Sequence, residues 1–468
     1  MFRSIFTNSF GILFSRILGL WRDLLTASVL GANIYSDIFF VAFKLPNLFR
    51  RIFAEGAFSQ TFIPSFSLTK HKAVFSVHIL LIFLFSISLL TLVVNLFPQV
   101  ATEAIAYGFS DENIRIAAPY VAINFFYLPL IFAVTFLSAL LQYKHHFATT
   151  AFSTGLLNIS LIVALLLSQD LAEPQIVTYL SYGVVIGGAL QLIVHLIAIY
   201  KLNLLPLLVG GFKYLRVKSR IIKKDTTKFT KQFLPAMWGN SALQISSFID
   251  TILASFLLSG AISYLYYANR IFQLPLALFA IATSIALFPK VARHINNNRE
   301  EEASNMMAKA FWFLTFLLGF STIGGIVLSE EIISLLFERG AFSAKDTLSS
   351  STVLKMYLIG LLPFGLSKLF LLWIYAHHEQ MKAAKIASIA LGFNVILSLS
   401  LISPLGTAGL ALASSLSGFI TFSLTLKAFG YDKFKAIIRS KNTIYLLLSF
   451  VVFTYLLIYL KGFIHVYF

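Results

Sequence analysis

The sequence predicts an all-α polytopic membrane protein: two six-helix bundles related by a pseudo-two-fold along the membrane normal, plus one extra C-terminal helix, about thirteen transmembrane helices in all. Three observations lead there. The 468 residues are 58% hydrophobic and 12% charged, with a mean hydropathy of +0.84, far too apolar for a soluble domain. The apolar residues run in long continuous stretches separated by short charged segments. Paired motifs recur in the same order in the two halves.

A spanning helix needs about 20 mostly apolar residues, and in lipid only helices or closed barrels satisfy the backbone. The first run, 8–30, follows a basic start but is interrupted by Arg16, Arg22 and Asp23, so it reads as a retained helix rather than a cleaved leader. Five more runs follow at 35–66, 74–98, 114–142, 147–168 and 176–200. These make an N-terminal lobe over 1–202. Residues 203–228 hold Lys213, Arg216, Lys218, Arg220, Lys223, Lys224 and Lys228 and read as a basic cytoplasmic linker loop. A C-terminal lobe over 229–430 takes the runs 229–258, 262–289, 307–328, 349–375, 382–402 and 406–427, and the extra helix, 443–465, lies in 431–468.

Cations gather in alternate loops, at Lys70, Lys72, Lys144, the linker, Arg293, Arg299, Lys382, Lys385 and 433–441, while the intervening loops carry Glu103, Asp111, Glu112, Asp170, Glu173, Glu330, Glu331 and Asp346. The positive-inside rule then places the N-terminus in the cytoplasm, and an odd helix count places the C-terminus outside. The same rule accounts for the formal charge of +17 without nucleic acid, and no nucleic-acid partner is expected.

The repeat is read from two echoes. Gly31-Ala32 leads to Leu45-Pro46 as Gly260-Ala261 leads to Leu274-Pro275, at identical spacing, with Tyr35 and Phe43 matched by Tyr264 and Phe272. Leu128-Pro129 and Tyr143-Lys144-His145-His146 are echoed by Leu362-Pro363 and Tyr375-Ala376-His377-His378. Six helices per repeat keep both halves in one orientation, the parallel arrangement of transporters that bind substrate between two bundles.

Enzymes are disfavoured. There is no cysteine, no phosphate loop of the GxxxxGK[ST] kind and no nucleophile paired with a base, so a transporter is expected, with no cofactor and with membrane potential or an ion gradient as the driving force.

Charges inside spans cost about 2.5–3.5 kcal/mol each on insertion scales and therefore point to function. Arg16, Arg22 and Asp23 lie in the first run, Asp37, Lys44, Arg50, Arg51 and Glu55 in the second, and Arg270 in the eighth. Asp37, Lys44, Arg51 and Glu55 share one face of a regular helix, a register that Pro46 disturbs. Snorkelling or mutual pairing, as of Asp23 with Arg22 or Glu55 with Arg51, competes with a water-filled cavity for Arg50, Arg51 and Glu55; a shared cavity accounts better for Arg16 and Arg270. Because cations outnumber carboxylates and arginine grips phosphate oxygens in two-pronged fashion, the expected ligand is a phosphate-bearing anion. Lys355 and Lys368 stay open between snorkelling and the cavity. Asp250 and Asn394 make a possible coupling-cation site, with pairing of Asp250 to an arginine as the alternative; no metal site is otherwise indicated. Gly11, Ser15 and Gly19 read as a packing stripe, and His78 and His195 as structural.

The stretches SRILGLWRDLLTASVLGA and SDIFFVAFKLPNLFRRIFAEGAFSQTFIP, with YYANRIFQLP at 266–275 and LFERGAFSAKD at 336–346, closely resemble the MurJ/MviN family of bacterial lipid II flippases, in the MOP exporter superfamily. The resemblance implies transfer of lipid II, an undecaprenyl diphosphate-linked disaccharide pentapeptide, across the bacterial inner membrane, with Arg16, Arg22, Asp37, Arg50 and Arg270 binding substrate. Asp23, Lys44, Arg51 and Glu55 would gate or support the site. Membrane lipids and cell-wall synthesis proteins are the other expected partners. The family has fourteen helices where thirteen are counted here, and Asn269 stands where some relatives carry an acid. The alternatives are an exporter of O-antigen or another polyprenyl-linked glycan, a cation-coupled multidrug antiporter, and a non-transporting scaffold for cell-wall enzymes.

Overall fold

The computed structural model describes residues 2–52 and 58–467, and every regular element among them is helical. The chain forms two compact units, residues 1–260 and 261–468.

The first unit holds α1 (Phe2–Leu30), α2 (Ile34–Ile52), α3 (Phe58–Leu68), α4 (Lys72–Leu96), α5 (Pro98–Ile105), α6 (Asp111–Phe125), α7 (Tyr127–Tyr143), α8 (Ala148–Ser168), α9 (Glu173–Lys201) and α10 (Leu205–Ala254). α1 lies on α8, and α8 on α9. Small residues set these distances: a Cβ on Gly11 would lie 2.8 Å from that of Ala151, and Gly155 faces Leu18 and Phe14. The small-residue stripe of α1 is thus a packing surface. An all-phenyl core joins α3, α4, α7 and α10. Phe58 meets Phe62 at 5.1 Å between ring centroids, Phe132 at 5.6 Å and Phe229 at 6.0 Å, and Phe58, Phe62 and Phe229 have no exposed surface.

One expectation needs correcting here. Residues 203–228 are not a loop; from Leu205 onward they are the start of α10. The reason is local. Lysine and arginine are good helix formers, and Ile222, Phe229 and Phe233 give this stretch a buried apolar face while Lys223, Lys224, Lys228 and Lys231 stay exposed. Asp225 fixes it further by accepting a hydrogen bond from Thr69 Oγ1 at 2.6 Å.

The second unit holds α11 (Ala261–Pro275), a π-helical stretch (Leu276–Ile281), α12 (Ala282–Asn296), α13 (Glu300–Val327), α14 (Ser329–Phe337), α15 (Ala344–Ile359), α16 (Leu361–Ala376), α17 (Gln380–Phe429), α18 (Tyr431–Ile438) and α19 (Asn442–Tyr467). α17 is a helical hairpin. Its two limbs meet where Ser417 Oγ donates to the Ala390 carbonyl at 2.8 Å, and the chain reverses beside Pro404 at Gly406, whose φ of 55° and ψ of −131° are outside the helical range. Only glycine holds such a conformation readily. Helix α19 packs on α13, with Phe450 filling the space left by Gly319 and Lys461 reaching Glu331 at 2.9 Å and the Val327 carbonyl at 3.1 Å.

Among the described residues, length and apolarity account for ten of the thirteen expected spans. Among the described residues nine helices qualify, one of them the α17 hairpin with two of the expected spans. The other expected spans lie on α1, on α2 with α3, and on α10, which carry Arg16, Arg22, Asp23, Asp37, Lys44, Arg50 and Asp250 and include side chains outside the described residues. The internal repeat has a backbone counterpart: Gly31 and Gly260 both turn the chain with positive φ, 67° and 91°, and His145 and His378, after α7 and α16, both have φ of 59°.

Candidate functional site

The charged residues of α1 and α2 all lie in the first unit. Arg22 and Asp23 are both buried and form an ion pair at 2.5 Å, with Arg22 Nε also donating to Asp23 Oδ1 at 3.0 Å. Arg22 Nη1 donates to Asn158 Oδ1 of α8 at 3.0 Å, and Asn158 Nδ2 returns a bond to the Ser15 carbonyl at 3.0 Å. A buried charge is tolerated when paired and hydrogen-bonded, and this clamp meets both conditions while pinning α1 to α8. Arg16, under two turns earlier, is exposed.

Asp37 stands in the first turn of α2 and is 2% exposed; its Oδ2 accepts from the Gly260 N–H at 2.8 Å. The turn before it is tied by Asn33, whose Oδ1 accepts from the N–H groups of Tyr35 and Ser36 and whose Nδ2 donates to Glu173 at 2.7 Å. Farther along α2, Lys44 donates to Ser247 Oγ of α10 at 2.9 Å, and Arg50 Nε to Asn47 Oδ1 at 3.2 Å. The side chain of Arg51 and the whole of Glu55 lie outside the described residues, so α2 displays only the Asp37 to Lys44 part of the expected face.

In the second unit, Arg270 of α11 is half-buried. Its Nη2 donates to Tyr266 OH at 2.5 Å, and its guanidinium lies over the same ring, 4.6 Å from the centroid. Asn269 and Gln273 bond to each other one turn along the same polar side. The LFERGAFSAKD stretch is a structural corner: Ser343 caps α15 with Asp346, and Asp346 accepts from Tyr264 OH of α11 at 2.9 Å.

The suggested cation pair is divided between units. Asp250 is half-buried on α10, and Asn394 is buried in the α17 hairpin, donating to Ser414 Oγ at 3.3 Å. Among the described residues no group of three or more His, Cys, Asp or Glu is placed to hold a metal ion. His195 is structural: Ser138 Oγ lies 2.8 Å from Nε2 and the Gln191 carbonyl 2.7 Å from Nδ1.

The structure therefore brings Arg22 and Asp23 together, gives Asp37, Lys44 and Arg50 separate partners along α2, and joins Arg270 to an aromatic ring. Sequence reasoning passed over Asn158, Asn33 and Tyr266. Asn158 had a signal, an amide in the apolar run NISLIVALLLS.

A family model described as lipid II flippase MurJ matches residues 26–468. The chain belongs to the MurJ family. A probable lipid II flippase MurJ of Helicobacter pylori strain 26695 is 52% identical over 459 residues, covering 93% of this chain and 100% of the relative. The MurJ relative of Haemophilus influenzae is 34% identical over 431 residues, with 86% and 81% covered. Among solved structures, lipid II flippase MurJ in an inward closed conformation is similar with a TM-score of 0.78 at 26% identity, covering 98% of each chain. An inward-facing multidrug MATE transporter of the MOP superfamily shares the fold, with a TM-score of 0.64 at 13% identity over 92% of this chain and 96% of that one. MurJ proteins are transporters, and this MurJ-family chain is a multi-pass membrane protein.

Proposed function

We propose that the chain flips lipid II from the cytoplasmic to the outer leaflet of the bacterial inner membrane by alternating access through a cationic cavity. Family membership supports the substrate. The observation that carries the mechanism is the charge balance of α1 and α2: among described side chains, Arg16, Arg22, Lys44 and Arg50 stand against Asp23 and Asp37, and those two carboxylates have the Arg22 guanidinium and the Gly260 amide as partners. Such a surface favours a diphosphate, which arginine meets with two parallel hydrogen bonds. The sugar-peptide headgroup then travels through water while the polyprenyl tail stays in lipid. The lysine-rich alternate loops support a cytoplasmic N-terminus. A membrane potential, negative inside, draws the empty cationic carrier back for the next cycle.

The test is native mass spectrometry of the purified chain with lipid II against an undecaprenyl-linked O-antigen sugar, with Arg16→Ala and Arg270→Ala in parallel. Selective lipid II binding that both substitutions weaken is the expected result. Equal binding of the two lipids would reduce the reading to a general glycolipid exporter, and binding indifferent to both arginines would remove the cationic site.

A further inference from the structure

Lys355 on α15 and Lys368 on α16 belong to one long apolar stretch, Ala344–Ala376, and the structure separates them. Side chains on a helix lean toward its N-terminus. Lys355 lies eleven residues from the N-terminal end of that stretch, and the lean carries its ammonium toward that end. Lys368 lies eight residues from the C-terminal end and leans away from it. The other boundary is far beyond the reach of a four-carbon stem.

The setting of Lys368 is also distinct. Gly365, Leu366 and Ser367 before it and Leu369 and Phe370 after it are buried, whereas Lys368 keeps part of its surface open. Phe364, one turn earlier on the same side of α16, packs against Phe272 of α11 at 5.9 Å between ring centroids. Lys368 lies one turn beyond Phe364 on that side of α16. Among the described residues no hydrogen bond, ion pair or ring contact engages its ammonium. A cation inside a span, without a carboxylate or a headgroup within reach, requires water or an arriving anion.

We propose that Lys368 is a substrate-binding cation of the second unit, taking an oxyanion of the transported headgroup, either a phosphate of the diphosphate or a carboxylate of the peptide. The inference rests on the proposed function and adds a binding residue to it. An ammonium suits this task because it is a compact point charge with three donors on a flexible stem, able to follow a headgroup that moves.

The chain has no cysteine, so Lys368→Cys introduces a single thiol. In proteoliposomes of the full chain, a charged methanethiosulfonate reagent should modify that thiol, and lipid II should slow the modification several-fold. By native mass spectrometry, Lys368→Gln should weaken lipid II binding about ten-fold, with Lys368→Arg restoring most of it. The thermal midpoint of Lys368→Gln should not fall, since the substitution removes a charge from the interior. Undecaprenyl diphosphate locates the oxyanion: a loss shared with lipid II assigns the phosphate, and a loss confined to lipid II assigns the peptide. A thiol at 368 that modifies no faster than one at lipid-facing Leu399, or wild-type lipid II affinity in Lys368→Gln while Arg270→Ala weakens it, overturns the role of Lys368 alone. Indifference of binding to Arg16→Ala, Arg270→Ala and Lys368→Gln together overturns the cationic site on which it rests.

Discussion

The carboxylate of Asp37 accepts the backbone N–H of Gly260 at 2.8 Å, a hydrogen bond across 223 residues of sequence. Gly260 has a positive φ, so its amide is aimed by a turn and held by an acid that is itself almost fully buried. An acid expected to meet substrate is thus engaged with the main chain.

Substitution of Asp37 should separate the two roles. Asp37→Ala leaves the Gly260 amide without its acceptor and should lower stability by about 1–3 kcal/mol, whereas Asp37→Asn keeps an oxygen there and should lose much less. Thermal unfolding in detergent measures this. Equal losses for both variants would show that the negative charge, not the acceptor, is what matters.

For the α1 clamp, removing one partner should be worse than removing both. Arg22→Ala strands the Asp23 carboxylate beside Asn158, and breaking a buried pair in this way typically costs about 3–5 kcal/mol. Adding Asp23→Asn to that variant should recover a large part of the loss. A strictly additive double-mutant cycle would contradict the pairing.

Gly319 marks the seat of α19. A Cβ placed there would lie 2.2 Å from Phe450 Cζ, so Gly319→Ala should destabilise the chain by about 1–3 kcal/mol through overpacking. Phe450→Leu in the same chain should relieve the clash. If the double variant is no more stable than Gly319→Ala, the contact does not set the α13 to α19 distance.

Transport should respond to voltage. One charge crossing the field is worth about 2.3 kcal/mol per 100 mV, so a carrier that returns empty with net positive charge should run faster in liposomes when an imposed potential favours that return. Rates unchanged over such a range would rule the potential out as the driving force.

Much of the helical order was legible because hydropathy reads continuous apolar helices directly: 74–98, 147–168 and 176–200 lie within three residues of the ends of α4, α8 and α9. The break at Phe126 between α6 and α7 was missed although its signal was present: Pro129 has no N–H to give the Phe125 carbonyl, so one continuous helix cannot run through it undisturbed. The basic stretch before 229 was misread because charge suggested a loop while propensity and the spacing of Ile222, Phe229 and Phe233 favoured a helix. At the site, the pairing of Arg22 with Asp23 was readable from opposite charge, but the partner that completes it was not. Adjacent residues on a helix do not normally face each other, yet the long Arg22 side chain folds back onto Asp23, and only the position of Asn158 on α8 explains why.

The α17 hairpin reverses within the few residues around Pro404 and Gly406, leaving only Ser403, Pro404 and Leu405 exposed at its tip. Proteolytic nicking and tolerated insertion concentrate at exposed, pliable loop tips. A reversal this short offers little extended chain for a protease cleft and no slack for an inserted epitope, so the two limbs will persist as a single fragment after limited digestion that cuts the chain elsewhere.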